Sequence, residues 1–238
     1  MKPTITLLLG MLLLVACSPM RNLQKVETRI PCLGSVGKTA TTLLRKDFVK
    51  AGEPNLKNEL EVALNEFDFS NAMLAKYTKY QETQGKGVSA QNDSIKVIPG
   101  KYFQLRISDL VGLKSQLNAV HNASLKEYLQ DDSELALLTG ISFRADEQTT
   151  LLLRTSRHFF LREEHGSLLL EAHKGQKYLE IPMDSLEVFD FETSQICWKQ
   201  NRQSKLEVAA IILEGKKCPG ATEKNPDKLD TTKSYLKL

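Results

Sequence analysis

The chain is poor in the residues from which catalytic and redox sites are built. It has four histidines and four cysteines in 238 residues. No serine stands in the Gly-x-Ser-x-Gly context of a nucleophile elbow. No cysteine spacing matches a zinc site or a Cys-x-x-Cys redox motif. An excess of one charge is lacking too: 32 Lys+Arg face 29 Asp+Glu, a net charge of +3. That balance argues against a nucleic-acid partner, which would call for a basic stripe. The excess is local, in the six lysines 216, 217, 224, 228, 233 and 237. A membrane-spanning run is also missing. The apolar stretch from Ile5 to Val15, broken by Thr6 and Gly10, is shorter than the ~20 residues a spanning helix needs.

What that stretch does fit is an export leader. Lys2 supplies the positive start, and Leu14-Val15-Ala16-Cys17 ends the apolar run with small residues before a thiol. These residues resemble the lipobox of bacterial lipoproteins. The resemblance covers only the leader. It implies cleavage after Ala16, diacylglycerol on the Cys17 sulfur and an acylated new amino terminus, which together make a stable anchor. Ser18, in place of an acidic residue, implies by the same resemblance the outer membrane. No acidic cluster follows Cys17, which favours the periplasmic face. The domain plan is then a signal peptide at 1–16, a lipidated tether at 17–50, a folded domain at 51–214 and a lysine-rich disordered tail at 215–238. A glycine-bearing polar stretch at 84–94 is a possible internal boundary.

Lipidation leaves Cys32, Cys197 and Cys218 for disulfide chemistry, an odd number. If Gln200 to Ser204 is a hairpin turn, Cys197 faces the region of Glu207, deep in a strand. Cys32 and Cys218 both lie in turn-like ends. The expected pairing is Cys32–Cys218 with Cys197 free; three free thiols is the alternative.

The expected fold is α+β: N-terminal helices followed by an antiparallel meander of five or more strands. Leu56, Leu60, Ala63, Leu64 and Phe67 recur at helical spacing after Pro54. Asp68 or Ser70 can cap a second helix, and Ser108 a third with an apolar face from Leu110 to Leu129. Tyr102 to Ile107 and Leu135 to Phe143 read as strands flanking that helix, a possible βαβ crossover. Thr149 to Leu161, Ser167 to His173, Lys177 to Ile181, Leu186 to Trp198 and Leu206 to Leu213 read as further strands.

Two motifs invite chemistry. Gly34-Ser35-Val36-Gly37-Lys38-Thr39 resembles the end of a phosphate loop, but Cys32 holds the first-glycine position and no buried strand precedes it. It reads as tether. Across a hairpin centred between Glu164 and His165, His158 faces Glu171 with His173 diagonal to it, so the three could ligate a metal. A solvated strand face offers little second-shell support. The preferred reading is a polar outer face, with no metal, cofactor or catalytic residue assigned. His121 and His165 read as surface residues.

The functional expectation is a membrane-anchored envelope lipoprotein acting as a non-catalytic binding or scaffolding module, its partners the membrane and another envelope protein. A small-molecule or lipid carrier is the alternative. A hydrolase with a site assembled from distant residues is the third reading.

Overall fold

The computed structural model describes residues 32–41, 46–84, 100–165, 167–181, 183 and 186–229. The leader, Cys17 and most of the 84–94 stretch lie outside these residues. The described elements are ten strands and four α-helices. The strands are β1 (Val36–Thr41), β2 (Lys46–Gly52), β3 (Leu60–Asp68), β4 (Lys101–Ile107), β5 (Ala136–Arg144), β6 (His158–Glu164), β7 (Ser167–Lys174), β8 (Lys177–Ile181), β9 (Glu187–Gln200) and β10 (Leu206–Leu213). The helices are α1 (Asn71–Thr83), α2 (Leu110–Asn118), α3 (Ala123–Asp131) and α4 (Glu147–Thr155). Mixed α and antiparallel β is as expected. Helices first is not: three strands precede α1.

The sheet order is β10-β9-β5-β4-β3-β6-β7-β8, with β1 joining the β4-side edge of β5 where β4 has ended, and β2 pairing β1. Every described pair is antiparallel. This corrects the βαβ expectation. β4 and β5 run antiparallel, Phe103 facing Phe143, and α2 and α3 form the excursion between them.

Alternation along the strands separates two faces. One face carries Val62, Phe103, Leu105, Phe143, Phe159, Leu161, Leu170 and Ala172, all buried. Leu113 and Leu117 of α2, Leu129 of α3 and Leu153 of α4 join that core. Each fully buried leucine contributes about 1.5–3 kcal/mol by leaving water. The other face is covered in part by α1. There Tyr77 packs edge-on to Phe189 at 5.4 Å, and Phe69 lies 5.0 Å from Tyr102. α1 starts as expected: the Ser70 hydroxyl accepts the Met73 N–H at 3.3 Å.

Two elements exchange their expected types. Residues 60–68 form a strand, because Leu60 and Val62 are buried while Glu61 and Ala63 are exposed, a period of two. Residues 147–155 form a helix. Asp146 caps it by accepting the Thr149 N–H at 2.8 Å, and Leu153 is its buried residue.

The segment before β1 is core, not tether. Leu33 and Ser35 are fully buried. Gly34 donates to the Leu138 carbonyl at 2.7 Å and has φ +93°. A Cβ at Gly34 would sit 3.0 Å from Leu161 and 3.1 Å from Leu168, so both backbone and space call for glycine. The phosphate-loop-like residues are therefore a turn and a strand, and Lys38 is held by Asp132 at 2.6 Å and Glu134 at 3.1 Å. The hydrogen bond that Lys38 donates to Asp132 raises the Lys38 pKa and lowers that of Asp132.

The first part of the tail, residues 215–229, is structured, which corrects the expected disorder there. β9 runs past its last β5 pair, Leu137–Ser194, and Trp198 on the exposed edge exchanges backbone hydrogen bonds with Glu223 at 2.8 and 3.0 Å. Pro226 is buried and Leu229 packs against the core. This docking corrects the expected disulfide: Cys197 pairs with Cys218, Cα–Cα 5.6 Å. A bulge between Val208 and Ala210 also places Ala210, not Glu207, opposite Cys197. Among the described residues Cys32 is the free cysteine, its thiol donating to the Leu168 carbonyl at 3.2 Å. Burial, with Glu53 adding to it, pushes that thiol up to about 12.

Candidate functional site

The β6–β7 hairpin carries the histidines and the glutamate singled out above. Glu164 pairs with Ser167, so the loop has two residues and begins with His165 at φ +51°. Such a tight loop matches the right-handed twist of the flanking strands. It also moves the register from the expected one. His158 faces His173 directly, and Glu171 faces Phe160 on β6 and Glu180 on β8.

The shift decides which residues meet. Glu171 and His173 are two apart on one strand, so both side chains leave the same face. His173 Nε2 lies 3.5 Å from Glu171 Oε2. The third member is Glu59, just before β3; one ligand atom from each of Glu59, Glu171 and His173 lies within 4.8 Å of the other two. His158 is exposed and outside this group.

Glu171 is 4% exposed although its strand face is otherwise open. Burying a carboxylate is costly unless it is paired. Arg162 provides the pair: its Nη2 lies 2.6 Å from Glu171 Oε1 and 3.0 Å from Glu164 Oε2. Arg162 Nε is buried with no hydrogen-bond partner. The His173 ring lies 4.7 Å from Phe160 and 6.1 Å from Tyr178, which limits its rotation. The arrangement is a small nook walled by aromatic rings, with a buried carboxylate at its floor and an exposed one at its rim.

Sequence reasoning placed Glu171 and His173 together but missed Glu59 and included His158. The signal that could have found Glu59 is the alternation Glu59-Leu60-Glu61-Val62, which reads as a strand entry. The other expected surface histidines hold no such position. His165 is in the turn, and His121 Nε2 lies 3.2 Å from Gln116 Oε1, beside the buried Asn122.

A second concavity of about 210 Å³ lies between β3, β4 and α4, lined by Glu66, Lys101, Phe103, Arg144, Thr150 and Arg154. Arg154 Nη2 bonds Glu66 at 2.5 Å across it. Its volume is below the ~300–1,000 Å³ of small-molecule sites, and its lining is charged rather than apolar.

Among the described residues, the exposed large apolar side chains include Leu110, Val111, Val120 and Tyr128 of the α2–α3 segment, with Val111 72% and Val120 91% exposed. Of the sheet's edge strands, β8 exposes Tyr178 and Leu179, β2 exposes Val49 and β10 exposes Leu213. No family model matches the chain, and neither a curated protein nor a solved structure was found to match it.

Proposed function

We propose that this chain is a bacterial envelope lipoprotein, anchored through Cys17 in the outer membrane and facing the periplasm. Its folded body acts as a non-catalytic binding or scaffolding module for another envelope protein. The observation that carries the exported location is the Cys197–Cys218 disulfide, since such bonds persist in oxidising compartments and are rare in the cytosol. The described fold begins at Cys32, so the 15 residues after Cys17 can hold it at most about 50 Å from the anchor. A partner surface is supported by Val111 and Val120, which lie exposed in the α2–α3 segment. Each is a large apolar side chain that would gain by leaving water under a partner.

The test is site-specific photocrosslinking in intact cells, with a photoreactive residue at Val120 and a control at the exposed Lys199. A discrete crosslinked envelope protein at Val120 and none at Lys199 is expected. Equal, diffuse labelling at both positions would remove the α2–α3 segment as a partner surface. Sedimentation with cytosolic rather than membrane fractions would overturn the anchored reading.

A further inference from the structure

We propose that Glu59, Glu171 and His173 form a binding site for a divalent first-row transition metal ion, with zinc as its probe. The inference stands apart from the envelope reading and rests on geometry, burial and charge.

The ligand set is carboxylate, carboxylate and imidazole. Imidazole selects zinc and its neighbours over magnesium and calcium, which take oxygen alone. Zinc bonds nitrogen and oxygen ligands at about 2.0–2.2 Å, so adjacent ligands at a tetrahedral site stand about 3.3–3.5 Å apart. The 3.5 Å between His173 Nε2 and Glu171 Oε2 matches that edge. It is longer than an ordinary N–H···O bond of about 2.7–3.2 Å. Glu59 completes the triangle from within 4.8 Å and is exposed, so its side chain can close the last ångström or so without disturbing the core.

Glu171 supplies the second, independent observation. Its residue is 4% exposed, and only Oε1 has a short partner, in Arg162 at 2.6 Å. Oε2 points into the cluster with only the long contact to His173. A carboxylate buried with one guanidinium and one long imidazole bond is costly to keep charged, and a cation there offsets that cost. Three carboxylates, Glu59, Glu171 and Glu164, against the one guanidinium of Arg162 also leave the nook with an excess negative charge, which a divalent ion offsets. Arg162 stands behind Glu171 as an orienting partner, and Phe160 restricts the imidazole, the kind of outer support that metal sites carry. Three protein ligands leave one position for water or a partner's side chain. The bound ion would tie the entry of β3 to β7.

The experiment is a zinc titration of the chelator-treated mature chain against a chromophoric competitor, with calcium in a parallel arm. One equivalent of zinc and no calcium competition are expected. His173→Ala should weaken zinc binding about 100-fold or more and Glu59→Gln about 10-fold or more, while His158→Ala leaves it unchanged. Circular dichroism checks that each variant folds. Glu171→Gln also frees Arg162 and can unfold the hairpin, so the more accessible His173 and Glu59 decide the outcome. Wild-type protein that takes up no zinc, His173→Ala that binds like wild type, or His158→Ala that loses as much as His173→Ala would each overturn the assignment.

Discussion

Breaking the Cys197–Cys218 bond with Cys218→Ser should destabilise the fold by about 3 kcal/mol. The bond closes a loop with a sequence separation of 21. The loop-closure entropy removed from the unfolded chain at that length is about 11 cal/mol/K, or ~3.4 kcal/mol at room temperature. The variant keeps the two backbone bonds between Trp198 and Glu223, the burial of Pro226 and the packing of Leu229 on the core. The assay is urea unfolding of the mature protein and the variant without reductant. A thiol reagent adds a chemical check. Cys32 is partly buried and its thiol is pushed up to about 12, so the native oxidised protein should label slowly. Unfolding should expose one thiol, and unfolding with reduction three, if Cys17 is acylated. A loss under about 1 kcal/mol, or a peptide map linking Cys32 to Cys218, would refute the reasoning.

Three further outcomes follow from single contacts. Asn122→Ala should cost about 2–4 kcal/mol in denaturant unfolding. The buried amide accepts the Asn55 N–H at 2.8 Å and donates to the Asn55 and Gln116 carbonyls at 2.8 and 2.9 Å. Leu161→Ala, fully buried between β3 and β7, should cost about 2–5 kcal/mol in the same assay. Asp146→Ala should lower the melting temperature at pH 7 and flatten its acid dependence. The Thr149 N–H and hydroxyl hold the Asp146 carboxyl below its ordinary value. Its stabilisation is therefore present above the ordinary carboxylate range and lost as pH falls through the lowered value. A thermal scan series from pH 7 to pH 2 compares the two.

Strands with strict local signals were legible. β7, β8 and β10 lie where alternation and the Gly175-bearing turn placed them, and Ser70 caps α1 as its side chain allows. β3 was not legible because its first apolar residues, with Leu56 and Phe67, also fit a helical spacing. Leu56 is buried from the loop before the strand, and Phe67 is exposed on the far side. α4 was hidden by the strand-favouring Thr149-Thr150 pair leading into an apolar run too short to show a period; the Asp146 cap and the leucines' helix propensity decide it. The hairpin register turned on a single residue at the loop, enough to exchange His158 for Glu59 in the cluster. The disulfide was hidden because nothing local says that the lysine-rich tail returns to the edge of β9.

The central claim is an acyl anchor at Cys17, and the most direct measurement is incorporation of radiolabelled fatty acid during growth, followed by purification of the protein. The account predicts label in the wild-type chain and none in Cys17→Ser, with the variant moving from the membrane fraction to a soluble one. Wild-type protein without label, or label that survives Cys17→Ser, would contradict it.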